Sequence, residues 1–427
     1  MEKIKPALSK GTRDFLPHEV AKRNFLFEII KEVFTRYGFQ AIETPAIERL
    51  ETLTGKYGAE GDKLLFKILN SGDYLKNVSP DILSAQNSTA ATRLLAEKGL
   101  RYDLTVPLAR FVVQHQDKLA FPFRRFHIGS VWRADRPQKG RYQEFYQCDA
   151  DIIGSSGLLN ETELVLLFHE VFAALGLSEV ELKISNRKIL AGLAEKMNCT
   201  EQFSALAIAI DKLDKVEQAK VFELLLQDGF TEQQIIMLST YLNIQGTNSE
   251  VVSQLKNFFG DNATAGVGIQ ELEWVVNTVL KAAPQAPIKI DISLARGLDY
   301  YTGFIIEVKN HSGSLRSSIG SGGRYDNLTE IFGGKNLTGV GISFGIERIF
   351  DIMEELNLFP SSVFNGTQVL FCHFDEATQE YAFQSLLALR KAGVNAEIFP
   401  TLAKLSKQLD YANKKQIPFA VIIGSEE

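Results

Sequence analysis

Cysteine is scarce in this 427-residue chain, which carries only Cys148, Cys199 and Cys372, far apart and without C-x-x-C spacing. Such usage excludes a disulfide framework, gives no cysteine zinc site, and is typical of a reducing compartment. The chain also lacks any uninterrupted run of about 18 apolar residues, and its N-terminus lacks the apolar core of a signal peptide. We therefore expect a cytoplasmic protein without a membrane partner.

Histidine is scarce as well, with six residues that do not cluster as metal ligands would, and no Ser/His/Asp triad spacing occurs. We therefore predict no metal site in the protein itself. The net charge of -6 argues against indiscriminate nucleic-acid binding, although a basic patch on an acidic protein can still hold a phosphate backbone. The 45% hydrophobic and 23% charged residues are ordinary for globular proteins, and the length predicts two or three domains.

The first 50 residues predict a long amphipathic helix and then an extended segment. Apolar residues recur at helical spacing from Glu19 to Tyr37, and Gly38 follows as a helix-ending residue. The segment FQAIETPAIERL contains Pro45, which is typical of an edge strand or of a subunit contact. Both interpretations stay open on this pattern alone.

Two long strands joined by the loop ADRPQKGRYQE are predicted over residues 123–133 and 145–153. Because successive strand residues alternate faces, one face of the hairpin collects acids and an amide together with cations of the partner strand and loop. The residues concerned are Gln147, Asp149, Asp151, Arg125, His127, Arg133, Arg136, Lys139 and Arg141. Such a set suits a polyphosphate beside a cationic substrate group. A solvated ladder of cross-strand ion pairs is the alternative.

The stretch RYDLTVPLAR, residues 101–110, predicts a strand that carries Asp103 and Thr105 on one face until Pro107 stops the pairing. An ammonium group would fit between those two side chains. A turn acid at the end of a strand is the alternative.

The stretch LARGLDYYTG, residues 294–303, places Arg296 and Asp299 inside strand-like sequence, where charges must be paired or face a ligand. The glycines of SGGRYDNL indicate close approach of a flat ligand or another backbone. In GVGISFGIERIF, Arg348 falls in the first turn of a helix, where a cation opposes the helix dipole. Either Glu347 or a ligand phosphate would offset that charge.

These segments together resemble the class II aminoacyl-tRNA synthetases, and among them the histidyl-tRNA synthetase family, over essentially the whole chain. KGTRDFLP resembles the N-terminal signature of that family, the helix that leads to Pro45 resembles motif 1, residues 123–154 resemble motif 2, and GVGISFGIERI resembles motif 3. LARGLDYYTG and SGGRYDNL resemble the two signatures peculiar to the histidine enzymes. The resemblance implies activation of L-histidine with ATP, followed by transfer of histidine to the 3' end of its tRNA.

The resemblance also implies roles for individual residues. Arg133 and Arg296 would hold the ATP α-phosphate as catalytic cations, and Arg141 and Arg348 would contact the outer phosphates, which Mg²⁺ would bridge. Histidine would be bound by Asp103, Thr105 and Gln147 at its α-amino group, and by Asp151 and Tyr301, with Tyr300 beside them, at its imidazole ring. Positions 103 and 151 are glutamate in the bacterial pattern, so these aspartates are departures that fit the eukaryotic type.

The implied fold is α+β, with a class II catalytic domain built on an antiparallel sheet with flanking helices. The expected boundaries are residues 1–187 and 266–360 for the two parts of that domain, 188–265 for an all-helical insertion, and 366–427 for a C-terminal α/β anticodon-binding-like domain. That last domain is truncated relative to the family pattern, since the sequence stops after its third strand. Lys404, Lys407, Lys414 and Lys415 would give it a basic face for RNA, and a merely solvated helix face is the alternative.

A homodimer through motif 1 is a further implication of the resemblance. The alternative function is that of the synthetase-like regulatory subunit of ATP phosphoribosyltransferase, which shares the catalytic fold but binds histidine without activating it. Retention of Arg133, Arg141, Arg296 and Arg348, and of a third domain, favours the enzyme.

Overall fold

The computed structural model describes residues 5–213, 216–295, 301–315, 317–334, 337–361, 363 and 366–424. Its helices are α1 (Pro17–Arg36), α2 (Leu50–Leu53), α3 (Gly58–Lys63), α4 (Pro80–Ser84), α5 (Ser88–Leu95), α6 (Thr105–His115), α7 (Leu159–Ala174), α8 (Arg187–Lys196), α9 (Phe203–Lys212), α10 (Gln218–Gln227), α11 (Glu232–Leu242), α12 (Asn248–Phe259), α13 (Ala263–Ala282), α14 (Ile346–Glu355), α15 (Glu376–Lys391) and α16 (Leu405–Lys415).

The strands are β1 (Gln40–Ala41), β2 (Ile47–Arg49), β3 (Lys67–Ile68), β4 (Lys98–Leu100), β5 (Phe123–Trp132), β6 (Glu144–Ile153), β7 (Val180–Asn186), β8 (Ile288–Ile290), β9 (Phe304–Asn310), β10 (Gly320–Arg324), β11 (Gly339–Gly345), β12 (Val369–His373), β13 (Ala396–Ile398) and β14 (Phe419–Ile423). The chain divides into two compact units. One comprises Met1–Asp14 and Arg23–Phe359, and the other comprises Phe15–Lys22 and Pro360–Glu427.

The first unit is built on a large sheet whose described strands follow the order β1-β5-β6-β11-β10-β9-β7-β8. All neighbouring strands run antiparallel except the pairs β1–β5 and β7–β8 at its two ends, which are parallel. The sheet therefore brings the hairpin β5–β6 directly beside β11, which comes almost 200 residues later in the sequence, with β10 on the far side of β11. A smaller antiparallel sheet has the order β2-β4-β3.

Helices α1 and α7 cover one face of the large sheet with fully buried aromatic and aliphatic side chains. Phe34 of α1 and Phe168 of α7 both lie against Phe344 of β11, with ring centroids 5.9 and 4.7 Å apart. Each ring that is fully removed from water contributes roughly 1.5–3 kcal/mol to folding. This apolar face leaves the opposite face of β5, β6 and β11 for polar groups.

The principal predictions for regular structure in this unit are confirmed. The expected helix over 19–37 is α1, and Gly38 follows it in the left-handed conformation with φ of 78°. The expected hairpin is β5–β6, and the strand and helix expected from GVGISFGIERIF are β11 and α14. Periodicity was sufficient here because each of these segments packs one apolar face against the core.

The strand expected across Asp103 and Thr105 is wrong. Thr105 is the first residue of α6, and Asp103 precedes that helix, with its Oδ1 accepting a hydrogen bond of 3.0 Å from the backbone N–H of Val106. Pro107 is compatible with this arrangement because the backbone N–H groups of the first helical turn have no intrahelical acceptor. Pro107 thus lies in the first turn of a helix and does not end a strand.

The region from Asn186 onward is helical, as expected, and α8 to α13 cover most of it. Buried residues of these helices, including Leu190, Tyr241 and Val275, belong to the same continuous core as Phe344 of the large sheet. Helix α13 also runs through residue 265, the expected end of the insertion. The insertion boundaries therefore remain a prediction.

The second unit contains a parallel sheet of order β13-β12-β14 with helices α15 and α16 between its strands in sequence. This confirms the β-α-β-α-β pattern. Asp375 begins α15 with a capping box, since its side chain accepts from the backbone N–H of Thr378 at 2.8 Å. In the described part of the chain, no helix has the length and apolar character to cross a membrane.

Candidate active site

The polar face of the β5–β6 hairpin carries a buried cluster of charged side chains. Strand register places Arg125 opposite Asp151 and His127 opposite Asp149, as the alternation of faces predicted. All four are at most 3% exposed, so the solvated ion-pair ladder does not describe them. An Arg125 Nη2 atom lies 2.7 Å from Asp151 Oδ2. Burying these charges is costly, and a functional site is one setting that retains such clusters.

The carboxylate of Asp151 is held from three sides. Arg125 provides the ion pair, the Tyr325 hydroxyl donates a short hydrogen bond to Oδ1, and Gly341 of β11 lies opposite with no side chain. Burial raises the pKa of Asp151, while Arg125 and the Tyr325 hydroxyl oppose that shift. The Asp151 side chain occupies the space where a Cβ on Gly341 would be, so this glycine is required for close packing.

Asp103 lies near this cluster at the start of α6. Its Oδ1 accepts hydrogen bonds from the Tyr57 hydroxyl at 3.1 Å and from the backbone N–H of Val106 at 3.0 Å. Burial raises the pKa of Asp103, and these two donors together with Arg133 and Arg125 lower it. Asp103 is therefore a buried carboxylate with a fixed orientation, which is a suitable partner for a cationic ligand group.

Two adjoining cavities open on this face of the sheet, with volumes of about 180 and about 290 Å³. They share six lining residues: Arg133, Gln147, Ser318, Ser321, Ser343 and Arg348. Arg141 lines only the smaller cavity, whereas Asp103, Thr105 and Tyr301 line only the larger one. The residues expected to contact phosphates and those expected to contact an amino acid thus meet at a common boundary.

The arginines at the smaller cavity have few acidic partners. Arg133 donates from Nε to the Tyr102 carbonyl at 3.1 Å, and Arg348 donates to the carbonyls of Gly140 and Ser318 at 2.9 and 2.6 Å. In the described parts of the chain, neither has a carboxylate oxygen within 4.0 Å. Burial lowers the pKa of Arg348, and the nearby positive charges of Arg141 and Arg133 lower it further. A ligand with several negative charges would relieve this repulsion.

Glu347, the proposed counter-charge for Arg348, is engaged elsewhere. Its carboxylate accepts hydrogen bonds from Arg13 at 2.7 Å, from Arg23 at 2.5 and 3.1 Å, and from the backbone N–H of Tyr146 at 3.1 Å. Of the two open interpretations for Arg348, this contact pattern favours a ligand anion. The hydrogen bond from Arg13 to Glu347 also connects the N-terminal signature KGTRDFLP to α14, the helix that carries Arg348.

Tyr301 lines the larger cavity and is held by the glycines of β10. A Cβ on Gly323 would lie 2.9 Å from a ring carbon of Tyr301, so the strand must be bare at that position. Burial raises the pKa of Tyr301, and the carboxylates of Asp151, Asp149 and Asp103 raise it further, so its hydroxyl stays protonated. Asp151 itself is 2% exposed and does not line either cavity. Arg296 and Tyr300 lie outside the described residues.

Sequence reasoning missed three side chains that organise this site: Tyr57, Tyr325 and Ser343. Tyr57 and Tyr325 hold the acids, and Ser343 accepts a hydrogen bond from Gln147 Nε2 at 2.7 Å. No local pattern marked Tyr57. Strand parity placed Ser343 on the same face of β11 as Gly341 and Gly345, and this was the available signal for it.

Comparison with known proteins agrees with this geometry. A family model described as Histidyl-tRNA synthetase matches residues 11–98 and 92–349, and one described as Anticodon binding domain matches residues 366–427. A histidine–tRNA ligase of Bacteroides fragilis (strain YCH46) is 50% identical over 423 residues, covering 99% of this chain and 93% of that protein. The chain belongs to the histidyl-tRNA synthetase family. A histidine–tRNA ligase of Cytophaga hutchinsonii is likewise 50% identical, with the same coverage of both chains.

Solved structures of the histidyl-tRNA synthetase family share the architecture. The crystal structure of histidyl-tRNA synthetase from Nostoc sp. PCC 7120 matches with a TM-score of 0.81 at 30% identity, covering 100% of this chain and 93% of that one. A structure from Bacillus halodurans, described as an ATP phosphoribosyltransferase regulatory subunit/histidyl-tRNA synthetase, matches with a TM-score of 0.78 at 19% identity over 99% of both chains. The second likeness concerns the fold alone.

Proposed function

We propose that this protein is a class II ligase that activates L-histidine with ATP, releasing pyrophosphate, and then transfers histidine from the adenylate to the 3' end of its tRNA. The observation that carries the proposal is the pair of adjoining cavities. One is lined by Arg133 and Arg348, which have no carboxylate oxygen within 4.0 Å among the described residues, and by Arg141, whose only such contact there is Asp135 at 3.6 Å; the other is lined by the buried, oriented carboxylate of Asp103. The relatives at 50% identity over 99% of the chain are named histidine–tRNA ligases, which agrees with it.

The arginines would perform the chemistry of adenylate formation. Attack of the histidine carboxylate on the α-phosphorus of ATP builds negative charge on the phosphate oxygens, and fixed cations stabilise that charge. Arg133, at the boundary of the two cavities, would contact the α-phosphate together with Arg296, and Arg141 and Arg348 would contact the outer phosphates. No proton-transferring side chain is required by this reaction.

Magnesium would enter as part of the MgATP substrate. Within the described ranges, no group of three or more histidine, cysteine, aspartate or glutamate side chains is placed to hold a metal ion. At nucleotide sites Mg²⁺ usually keeps several waters and is held by substrate phosphates together with one or two carboxylates, so a cluster of three or more protein ligands is not required. The arginines remain the protein's own contribution to phosphate binding.

The larger cavity would hold histidine. Asp103, Thr105 and Gln147 line it and would bind the α-ammonium group, with Asp103 supplying the compensating charge. Tyr301 would donate to one imidazole nitrogen, and Asp151, paired with Arg125, would accept from the other, with Tyr300 completing the pocket.

The tRNA would also be bound by the second unit, which matches the Anticodon binding domain model over residues 366–427. Lys404, Lys407 and Lys414 are exposed at and along α16, and a positive face of this kind attracts a phosphate backbone. Lys415 is partly neutralised by Glu397 at 2.6 Å. We further propose a homodimer through the motif 1 segment around Pro45, and action in the cytoplasm, which the three free cysteines favour.

The test is histidine-dependent exchange of radioactive pyrophosphate into ATP. We expect exchange with histidine and none with other amino acids. Arg133→Gln should slow exchange by about 100-fold because one fixed cation is lost at the reacting phosphate. Arg93→Gln, which changes an exposed arginine on α5, is the matched control and should leave exchange unchanged. A chain that binds histidine but catalyses no exchange would instead behave as a regulatory subunit, and the proposal would be wrong.

A further inference from the structure

The amide of Gln147 is oriented by its neighbours, and one of its polar atoms is left without a partner. Gln147 is 9% exposed and lines both cavities. Its Nε2 donates to Ser343 Oγ at 2.7 Å, whereas its buried carbonyl oxygen Oε1 has no hydrogen-bond donor in the described structure. A buried acceptor without a donor is costly, so a donor from a ligand is expected at this position.

Ser343 connects Gln147 to a buried acid that has no role in the proposed function. Register in the β6–β11 pair places Ser343 directly opposite Asp149, and side chains at such positions are close enough to interact. Asp149 is 2% exposed, and its Oδ1 has no hydrogen-bond partner among the described residues. Burial raises the pKa of Asp149 to about 7, and the positive charge of Arg125 and a hydrogen bond from Ser343 act in the opposite direction.

When the Asp149 carboxyl is ionised, the hydrogen-bonding capacity of these three groups allows only one polarity. An ionised carboxylate is an acceptor only, so the single Ser343 proton is directed to Asp149. The serine oxygen then has only lone pairs to offer, and Gln147 must present its NH₂ group to it. The opposite end of the amide, the carbonyl oxygen, must therefore face the cavity. Without Asp149 the serine proton could instead bond Gln147 Oε1, and the amide could turn over.

We propose that Asp149 is a positioning residue that acts through Ser343 to hold the Gln147 carbonyl oxygen towards the cavity, where it accepts a hydrogen bond from the α-ammonium group of histidine. This relay, defined as Asp149, Ser343 and Gln147, rests on the proposed function of the larger cavity. It adds to Asp103 a second, neutral acceptor at a defined position, so that the α-ammonium group is held at two points rather than one.

The relay predicts a selective loss that a purely structural serine would not produce. Ser343→Ala removes the oxygen that Gln147 donates to, and the amide then loses its preferred orientation. We expect the KM for histidine in pyrophosphate exchange to rise roughly tenfold, which corresponds to one net hydrogen bond. The KM for ATP should change by less than about twofold. Asp149→Asn should act in the same direction but less strongly, because an asparagine amide can still accept from Ser343.

Two competitive inhibitors distinguish the contribution of the α-ammonium group to binding from that of the rest of histidine. Histidinol keeps the α-ammonium and lacks the carboxylate, whereas 3-(imidazol-4-yl)propanoate keeps the carboxylate and lacks the amine. In Ser343→Ala the inhibition constant of histidinol should rise by the same factor as the KM for histidine, and that of imidazolylpropanoate should not change. Ser343→Thr, which restores the hydroxyl, should recover most of the affinity for histidinol.

A double-mutant cycle tests whether Ser343 acts through Gln147. In a Gln147→Leu background, Ser343→Ala should have no further effect on histidinol inhibition. Three outcomes would each overturn the relay if the wild-type enzyme exchanges pyrophosphate. They are equal weakening of both inhibitors in Ser343→Ala, unchanged histidinol inhibition in that variant, and additive effects of the two substitutions in the cycle. A wild-type chain without exchange activity would contradict the proposed function itself. Thermal unfolding of each variant identifies any loss of affinity that comes from misfolding. Thr247→Ala, at the N-cap of α12, is a control that should leave both inhibition constants unchanged.

Discussion

Gly341 offers the sharpest single test of the buried cluster behind the histidine cavity. In Gly341→Ala, the new Cβ would lie 1.9 Å from Asp151 Oδ1 and 2.5 Å from its Cγ. Real Cβ atoms essentially never approach other heavy atoms to within 3.0 Å, so the carboxylate or strand β11 must move. Glycine is needed here for space alone, since its backbone is not in the left-handed conformation.

The magnitude follows from what Asp151 would lose. Displacement separates the carboxylate from Arg125, which is 0% exposed, and removes its hydrogen bond from the Tyr325 hydroxyl. Breaking a buried ion pair and leaving its partner charged costs about 3–5 kcal/mol. We expect Gly341→Ala to lower the free energy of unfolding by about this amount, and to reduce histidine-dependent pyrophosphate exchange by at least about 100-fold, the effect of losing one electrostatic group.

The assays are urea unfolding followed by circular dichroism, and pyrophosphate exchange at saturating ATP. Gly266→Ala is the matched control, because it makes the same substitution inside α13, where no atom lies within 4 Å of the new Cβ. That variant should be more stable than wild type by about 0.5–1 kcal/mol, since alanine is the better helix former. If Gly341→Ala kept both wild-type stability and wild-type KM for histidine, the placement of Asp151 against β11 would be incorrect.

Three further predictions concern stability. His127 has its pKa lowered from 6.5 to about 3, first by burial and then by Arg125 and Arg101. Because the unfolded chain binds a proton near pH 6.5 and the folded chain does not, stability falls as the pH decreases below 6.5. This accounts for a loss of roughly 3 kcal/mol by pH 4, which His127→Gln should abolish in urea unfolding at pH 7 and pH 4. Arg110→Met should cost about 3–5 kcal/mol, because it leaves the carboxylate of Glu48, 6% exposed, without the arginine that lies 2.7 Å away, and adding Glu48→Gln should recover much of the loss. Thr247→Ala removes the capping box of α12 and should lower the unfolding free energy by about 1 kcal/mol, whereas Thr247→Ser should not.

Short-range patterns were enough to predict much of the framework. Alternation in the hairpin assigned Arg125, His127, Asp149 and Asp151 to one face, and the register confirms that they oppose one another. The same kind of pattern predicted the glycine-rich strand β11 and the helix α14 that follows it. It also predicted the β-α-β-α-β order of the second unit. These predictions succeeded because side-chain direction in a strand or helix depends on the local backbone repeat.

The prediction of a strand at Asp103 and Thr105 was wrong because it, too, rested only on a local pattern. Pro107 is incompatible with the interior of a sheet and compatible with the first turn of a helix, so the short pattern had two solutions. Burial of Val106 and Leu108 in one apolar cluster with Tyr57, whose hydroxyl also donates to Asp103, favours the helix. Those contacts join residues that are about 50 positions apart in the chain.

The functional arrangement itself depends on distant segments. Composition, periodicity and motif spacing established which residue types were available, and on which face of their own strand or helix they lie. The pairing of β6 with β11 established that Asp149 faces Ser343 and that Asp151 faces a bare glycine. The packing of the N-terminal segment and α1 against α14 established that Glu347 is engaged by Arg13 and Arg23 rather than by Arg348. Sequence spacing does not encode such relations, because they arise from strand order and register across almost 200 residues, which only the packing of the whole core selects.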